Sequence, residues 1–145
     1  ICMSKGLGAP VGSLLLGDKE TIREARRFRK VMGGGMRQAG YLAAACIYAL
    51  DNHIDNLKID NDKAKKIGLL LSQMPYVKSI KPVFTNILIF ELQSNIKDTD
   101  FLEKLKSQGI LATAFGNNTI RFVFHLQITD EMVTRISDVL ESTEL

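Results

Sequence analysis

The feature that most constrains this chain is a glycine-rich run that directly follows a short apolar segment. Ile1-Cys2-Met3 is typical of the end of a buried strand, and Gly6, Gly8 and Gly12 follow it in close succession. Because glycine has no Cβ, backbone at these positions can pass close to a flat, bulky partner. The pattern predicts a tight turn at the end of a strand, with room for a planar group such as a cofactor ring.

Lys5 lies in this turn as a lone amine between the apolar segment and the glycines. Its position suits imine chemistry, in which a lysine amine bonds covalently to a carbonyl carbon. A protonated amine is a poor nucleophile, so the chemistry needs a desolvating pocket or a nearby cation that favours the neutral form. The apolar flanks and the downstream basic residues are candidates for both. The same local pattern is also that of a surface lysine on a tight turn.

Two longer segments of the chain match a known family, in the same order. They are residues 4–13, SKGLGAPVGS, and residues 27–40, RFRKVMGGGMRQAG. Both resemble the threonine aldolases of the β-eliminating lyase family, which are pyridoxal-phosphate (PLP) enzymes of fold type I. A third segment, residues 120–126, lies where that family carries a similar Arg-x-x-x-His strand end. The resemblance covers essentially the whole chain.

The resemblance implies an α/β fold class, namely the C-terminal part of a fold-type-I PLP enzyme. We expect residues 1–57 to be a remnant of the PLP-binding large domain and residues 58–145 to be a small α+β C-terminal domain. The chain begins within a predicted strand and without methionine, so we expect it to be part of a longer polypeptide. The ring-stacking group, the acidic partner of the pyridine nitrogen and most of the phosphate-binding loop are then expected upstream.

The implied activity is PLP-dependent aldol cleavage of β-hydroxy-α-amino acids, such as L-threonine or L-allo-threonine, to glycine and acetaldehyde. The implied cofactor is pyridoxal 5′-phosphate, with Lys5 as the catalytic residue that binds it covalently. The cofactor withdraws electrons from the amino acid while the protein selects the bond that breaks. The resemblance also implies a homo-oligomer, a dimer or tetramer with sites near subunit interfaces, and a cytoplasmic location.

Lys30 and Arg37 flank Gly33-Gly34-Gly35, which brings two cations to one loop between two predicted helices. A helix that opens at Arg37 has a positive charge at its positive end, which favours an anionic partner there. The resemblance implies that this segment lies near the cofactor, so we expect Arg37 on the phosphate side and Lys30 in the electrostatics of the site. For each, the alternative is a solvated charge at a helix end.

Arg121 interrupts an apolar strand, where a buried charge requires a partner. It either faces solvent on the open side of a sheet or binds an anion, and its guanidinium fork fits a carboxylate through two bonds. The resemblance implies that it holds the α-carboxylate of the substrate. His125 is expected to be a structural hydrogen-bonding residue, and His53 is expected to be exposed. Phe124 departs from the family pattern, in which a small hydroxylic residue is frequent, so the resemblance does not determine how polar the pocket is at this position.

Composition argues against several other classes of protein. The 145 residues are 46% hydrophobic with a net charge of +3, and no apolar run reaches the roughly eighteen residues of a membrane span. Cys2 and Cys46 are too few for a disulfide framework or a metal site. The basic run at residues 23–30 is short for a nucleic-acid binder and is accompanied by Glu20 and Glu24.

Two further interpretations remain beside the aldolase. A nucleotide-binding module would use Gly6-Leu7-Gly8 for phosphate, but Pro10 and an apolar run at residues 11–16 follow, where a dinucleotide motif requires a helix. The chain can also be a non-catalytic fragment or relic of the PLP fold, or part of a different PLP lyase with that fold.

Hydrophobic spacing, caps and turn residues predict the elements of the chain. We expect a strand at residues 11–16, a helix capped by Asp18 and ended by the triple glycine, and a second helical stretch from Arg37 with a join or bend near residues 55–58. The second half is expected to contain strands at 77–83, 87–92, 110–114 and 119–124, a helix at 98–107, a turn at Gly116-Asn117-Asn118, and a last helix capped by Thr129.

Overall fold

The computed structural model describes residues 1–143 and divides the chain into two compact units, Ile1–Asn56 and the residues from Leu57 onward. In chain order, the elements are α1 (Lys19–Val31), α2 (Gly40–Asn52), α3 (Ile54–Leu71), β1 (Val77–Ile80), β2 (Ile87–Leu92), α4 (Asp98–Ser107), β3 (Thr113–Ala114), β4 (Thr119–Val123) and α5 (Asp130–Glu141). The boundary between the units therefore falls inside α3.

The start of α1 follows the sequence prediction. The Asp18 carboxylate accepts hydrogen bonds from the backbone N–H groups of Glu20 and Thr21 at 3.0 and 2.9 Å. These bonds satisfy two of the donors that a helix N-terminus leaves unpaired. The pKa of the Asp18 carboxyl is lowered, first of all by the backbone bond from Thr21. The predicted cap is confirmed.

The strand predicted at residues 11–16 is wrong. Within residues 1–143, this segment has a single bridge partner, through Ser13, which pairs with Cys2 in an isolated antiparallel bridge. Leu15 and Leu16 are each 67% exposed. A strand needs a continuous neighbouring backbone to satisfy its hydrogen-bonding groups, and in the described part of the chain the backbone of residues 1–3 bonds to this run only at Gly12 and Leu14.

The second helical stretch begins later and breaks earlier than its hydrophobic spacing predicts. Helix α2 starts at Gly40, because residues 37–39 form a turn in which Gln38 has φ +51°. It ends at Asn52, and the C-cap residue His53, with φ −114° and ψ −2°, separates α2 from α3. None of the described helices is long and apolar enough to cross a membrane.

The second unit is a four-stranded antiparallel sheet in the order β1-β2-β4-β3. Side chains alternate along β2, so that Leu88, Phe90 and Leu92 enter the core while Ile87 is 40% exposed. Helices α3, α4 and α5 also contribute buried side chains to this core, which contains Ile67, Leu71, Phe101, Leu105, Val133 and Leu140.

Most predicted elements of this unit are confirmed, and β2 and α4 have the predicted bounds. Strand β1 ends at Ile80, ahead of Pro82, which has no N–H for a ladder. Strand β3 contains only Thr113 and Ala114. The Ile110 N–H is unavailable to a sheet because it donates to the Leu105 carbonyl at 2.9 Å, closing the end of α4.

Candidate active site

Lys5 lies at the start of a closed backbone turn. Its carbonyl accepts a hydrogen bond from the Gly8 N–H at 2.8 Å, and the Met3 carbonyl accepts one from the Ala9 N–H at 3.0 Å. Gly8 has φ +69°, a conformation that glycine adopts without strain. The Lys5 side chain itself is exposed. The turn therefore presents the amine on a backbone that is fixed on both sides.

The apolar flanks of Lys5 anchor this turn and leave the amine uncovered. Met3 is fully buried and Leu7 is 8% exposed. On the far side of the run, Gly12 lies against α2: a Cβ at this position would be 3.0 Å from Cys46 Sγ, and its φ is +138°. Both the close approach and the backbone conformation require glycine there.

His53 contacts the Lys5 turn, and the expectation that it is exposed is wrong. The residue is half-buried, and its Nδ1 lies 2.7 Å from the Leu7 carbonyl oxygen. The Tyr48 ring meets the imidazole edge-on, with 5.5 Å between ring centroids. The sequence does not reveal this contact, because Asp51, Asn52 and Asp55 lie close by in the sequence and the partner of His53 is 46 positions away.

Cys2 lies beside the same turn, where it is exposed and has a free thiol. Its Sγ lies 3.3 Å from the Ser4 hydroxyl. Hydrogen bonding with the Ser4 side chain and backbone lowers the pKa of the Cys2 thiol, and Ser13 and the positive charge of Lys5 act in the same direction. Desolvation opposes these effects, and the lowered pKa of Cys2 is the net result.

The triple glycine ends α1 and receives the side chains of its last turn. Gly33 has φ +80°, and the N–H groups of Gly33 and Gly34 donate to the Lys30 and Arg29 carbonyls at 3.2 and 2.8 Å, a Schellman motif. A Cβ at Gly35 would be 2.9 Å from Lys30 Cδ and 3.1 Å from its Nζ. The predicted helix end is confirmed, and the Lys30 side chain lies over the Gly35 backbone.

Arg37 lies in the turn before α2, so the prediction that it opens the helix is wrong in detail. Its side chain is exposed, and it has no acidic partner within residues 1–143, and neither does Lys30. The N-cap residue of α2, Ala39, provides no side-chain cap, and the first turn of the helix carries no acidic residue. In the described part of the chain, two cations without acidic partners thus lie in the segment that leads into the uncapped N-terminus of α2.

Arg121 lies on the face of the sheet opposite the core. It pairs in register with Ile89 on β2 and Thr113 on β3. Its guanidinium carbon is 5.3 Å from the centre of the Phe115 ring, a cation–π contact. The Nε atom is buried and has no hydrogen-bond partner in the described residues. A buried donor of this kind calls for an acceptor that the described residues do not supply.

Asp60 is a buried charged residue that the sequence analysis did not single out. It is 2% exposed on α3, and its Oδ2 has no hydrogen-bond partner in the described residues. Burial raises the pKa of the Asp60 carboxyl, and the charges of Lys63 and His125 oppose this shift. The burial of Asp60 could have been predicted from its spacing, because it lies on the same face of the helix as the buried residues Ala64 and Ile67.

The predicted site residues are distributed over both units. Lys5, Lys30 and Arg37 belong to the first unit, and Arg121 belongs to the second. His125 Nδ1 accepts a hydrogen bond from the Gln127 N–H at 3.4 Å, and the His125 carbonyl accepts one from the Ile128 N–H at 2.8 Å; its expected structural role stays a prediction.

Comparison with known proteins decides the family. The model of the β-eliminating lyase family matches residues 1–95, well over half of the chain. The chain belongs to the β-eliminating lyase family. Low-specificity L-threonine aldolase 1 of Arabidopsis thaliana is 39% identical over 132 residues, which are 89% of this chain and 37% of that protein. Alanine racemase TOXG of Cochliobolus carbonum is 35% identical over 145 residues, covering 94% of this chain and 36% of that protein.

The chain therefore spans less than two fifths of the length of either relative. Among solved structures, an L-allo-threonine aldolase candidate from Listeria monocytogenes superposes with a TM-score of 0.72 at 16% identity, over 97% of this chain and 42% of that one. This similarity confirms the predicted fold, that of the fold-type-I PLP enzymes, and the family match confirms the predicted resemblance.

Proposed function

We propose that this chain is part of a PLP-dependent lyase that cleaves β-hydroxy-α-amino acids, such as L-threonine and L-allo-threonine, to glycine and acetaldehyde. The observation that carries the proposal is the Lys5 turn, in which a backbone closed by hydrogen bonds presents an exposed amine. Membership of the β-eliminating lyase family and the 39% identity to a threonine aldolase support it.

The side chains present fit pyridoxal 5′-phosphate. Lys5 supplies an exposed amine beside Gly6 and Gly8, whose lack of a Cβ allows a planar group to approach the backbone closely, and Arg37 and Lys30 are cations without acidic partners in the described residues. When bound, PLP supplies an electron sink for the electron pair released at Cα of the amino acid. Lys5 is then the residue that holds the cofactor covalently.

Arg37 is assigned to the cofactor phosphate. It lies in the turn of residues 37–39 that leads into an uncapped helix N-terminus, where backbone N–H groups and the helix dipole both favour an anion. Lys30, held over Gly35, adds positive charge to the same segment. Both roles are cofactor-binding roles, and neither requires the residue to transfer a proton.

Arg121 is assigned to the α-carboxylate of the substrate. The Phe115 ring lies against its guanidinium, and the buried Nε lacks an acceptor in the described residues. A carboxylate fits this fork through two parallel hydrogen bonds, which fixes its position and its orientation. Arg121 thereby orients the amino acid, and it leaves the β-hydroxyl proton to a base from another part of the protein.

The proposal also covers the roles of the two domains, the cellular location and the oligomeric state. Residues 1–57 are then part of the PLP-binding large domain and residues 58–145 form the small domain of a cytoplasmic enzyme that supplies glycine. Val31, Met32 and Tyr41, close to the triple glycine, are 75, 84 and 83% exposed. Large apolar side chains concentrated in one segment support contact with another surface, consistent with a homodimer or homotetramer.

The similarity to alanine racemase TOXG favours one alternative, a PLP enzyme that moves the α-proton of an amino acid without breaking Cα–Cβ. Lys5 and Arg121 would have the same binding roles in that reaction. Chiral chromatography of L-alanine incubated with the protein separates the alternatives, because only a racemase yields D-alanine.

The proposed function is tested by assaying the full-length protein with L-threonine and L-allo-threonine, with acetaldehyde measured through its NADH-dependent reduction. We expect release of acetaldehyde and an equal amount of glycine, and loss of this activity in Lys5→Ala. Lys19→Ala, at an exposed position on α1, is the matched control and should retain the activity. Full activity of Lys5→Ala, or D-alanine production without threonine cleavage, would refute the proposal.

A further inference from the structure

One hydrogen-bonded chain connects His53 at the end of α2 to Lys5. The imidazole Nδ1 lies 2.7 Å from the Leu7 carbonyl oxygen. The next N–H along the backbone, that of Gly8, donates to the Lys5 carbonyl at 2.8 Å. The Leu7 C=O and the Gly8 N–H belong to the same planar peptide group. His53 and Lys5 therefore hold opposite ends of one rigid plane.

The direction of the His53 bond follows from its partner. A backbone carbonyl only accepts hydrogen bonds, so Nδ1 must carry the proton and donate it. This is true of the neutral ring with its proton on Nδ1 and of the protonated ring. Donation to the carbonyl strengthens the donor character of the N–H in the same peptide, which is the bond that closes the Lys5 turn.

The imidazole is itself fixed in place from two sides. The His53 backbone N–H donates to the Ala49 carbonyl at 2.9 Å at the end of α2, and Tyr48 meets the ring at an interplanar angle of 86°. Helix α2 has a second hydrogen bond to the glycine-rich run, from the Cys46 thiol to the Val11 carbonyl, but its length is 3.6 Å and thiols are weak donors. Of these two bonds, the one from His53 is the stronger.

The Leu7–Gly8 peptide, which His53 holds, could otherwise rotate. Gly8 has φ +69°, and without a Cβ it gives little steric resistance to rotation of the peptide before it. Such a rotation would break the bond to the Lys5 carbonyl and open the turn. The buried side chain of Leu7 anchors the turn, and the described hydrogen bonds of the Leu7–Gly8 peptide are those to His53 and to the Lys5 carbonyl.

We propose that His53 is a positioning residue for Lys5, acting through the Leu7–Gly8 peptide. The inference rests on the proposed role of Lys5 as the residue that binds the cofactor. His53 has no part in the chemistry under this proposal. It holds closed the turn from which the lysine amine reaches the cofactor.

Three variants of the full-length protein test the proposal: His53→Ala, His53→Asn and His53→Gln. The side-chain nitrogen of asparagine is two bonds beyond Cβ, as is histidine Nδ1, whereas that of glutamine is one carbon farther. Asparagine should therefore restore the bond, and glutamine should not. Asn52→Ala is the matched control, because Asn52 donates locally to the Tyr48 carbonyl.

The first readout is amide hydrogen exchange at Gly8 in the apoprotein, which requires neither cofactor nor activity. Loss of a hydrogen bond worth about 1 kcal/mol should raise the exchange rate roughly fivefold in His53→Ala and His53→Gln. His53→Asn and Asn52→Ala should remain within about twofold of the parent. If Ala and Gln leave the exchange of Gly8 unchanged, or if Asn and Gln behave alike, the proposal is wrong.

The second readout is the initial rate at which added PLP becomes fixed to Lys5, quenched with borohydride and measured by peptide mass spectrometry. We expect the same order, with parent and Asn faster than Ala and Gln by roughly fivefold. An adduct on a different lysine in the parent protein would refute the proposed role of Lys5, while the exchange result would still report on the turn. An adduct on Lys5 at equal rates in all variants would refute only the positioning role. If His53→Ala does not fold, the Asn and Gln pair decides.

Discussion

At the scale of single residues, a charge is most informative where the described structure gives it no partner. Lys63 is only 15% exposed, and it has both a backbone carbonyl and the Asp130 carboxylate within reach. The buried Nε of Arg121 has neither. Lys63 is thus paired within the fold, whereas the buried Arg121 Nε has no acceptor in the described residues.

Arg121 and Arg37 should therefore produce different defects in the full-length protein. Arg121→Lys should weaken binding of amino acids by about 1.5–3 kcal/mol, because an ammonium group cannot make two parallel bonds to a carboxylate. Arg37→Ala should instead lower the affinity for PLP. Titration of apoprotein with PLP and of holoprotein with glycine separates the two effects. Equal losses of PLP affinity in both variants, or unchanged glycine binding in Arg121→Lys, would contradict these assignments.

Asp60 should make stability depend on pH. Burial raises its pKa above the ordinary value of 3.8, so the folded protein binds this proton more tightly than the unfolded chain does. Its contribution to stability is therefore complete below about pH 3.8 and is lost as the pH rises through the folded-state value.

Asp60→Asn keeps the shape of the side chain and removes this titration. Urea unfolding of both proteins should show the variant gaining stability relative to the parent as the pH is raised from about 3 to about 7. If the two proteins differ in unfolding free energy by the same amount at both pH values, burial does not raise the pKa of Asp60 in the folded protein. The opposite trend would mean that its partnership with Lys63 and His125 outweighs the cost of burial.

At the scale of elements, the sequence predicts best where local pattern and tertiary environment agree. Hydrophobic spacing and turn residues gave the correct bounds of β2 and α4, because both elements lie against one core. The run at residues 11–16 has equally good strand composition, but it has one bridge partner within the described residues. A strand is a property of a pair of segments, so composition alone could not decide this case.

The same limit applies to the candidate site. Lys5, Lys30, Arg37 and Arg121 were found from motifs that are local in sequence. His53 was missed because its hydrogen bond joins residues 46 positions apart, which no local pattern reveals. Asp60, in contrast, could have been recognised from the sequence, because a charged residue on the apolar face of a helix is unusual.

The cap of α5 gives a test at this scale. The Thr129 side chain accepts a hydrogen bond from the Met132 N–H at 3.2 Å, and α5 buries Val133 and Leu140 in the core of the second unit. Thr129→Ala should lower the unfolding free energy by about 1 kcal/mol, and Thr129→Ser should retain most of it. Urea denaturation followed by circular dichroism measures both. Equal stability of the alanine and serine variants would mean that the cap does not stabilise the helix.

At the scale of the whole molecule, the two units differ in how far they bury their apolar side chains. The second unit has one core that joins a sheet to three helices. In the first unit α1 buries no residue, and Leu15, Leu16 and Met32 are all more than 60% exposed. The unit that carries Lys5 therefore leaves large apolar side chains exposed, which makes it a candidate contact surface under the proposed function.

The most direct test of the central claim is to find which residue of the full-length protein holds PLP. Borohydride reduces the covalent bond between a lysine and the cofactor to a stable one, and peptide mapping then identifies the modified residue. We expect a single pyridoxyl group on Lys5 and none in Lys5→Ala. An adduct on Lys30, or none in a folded protein that contains PLP, would contradict the account.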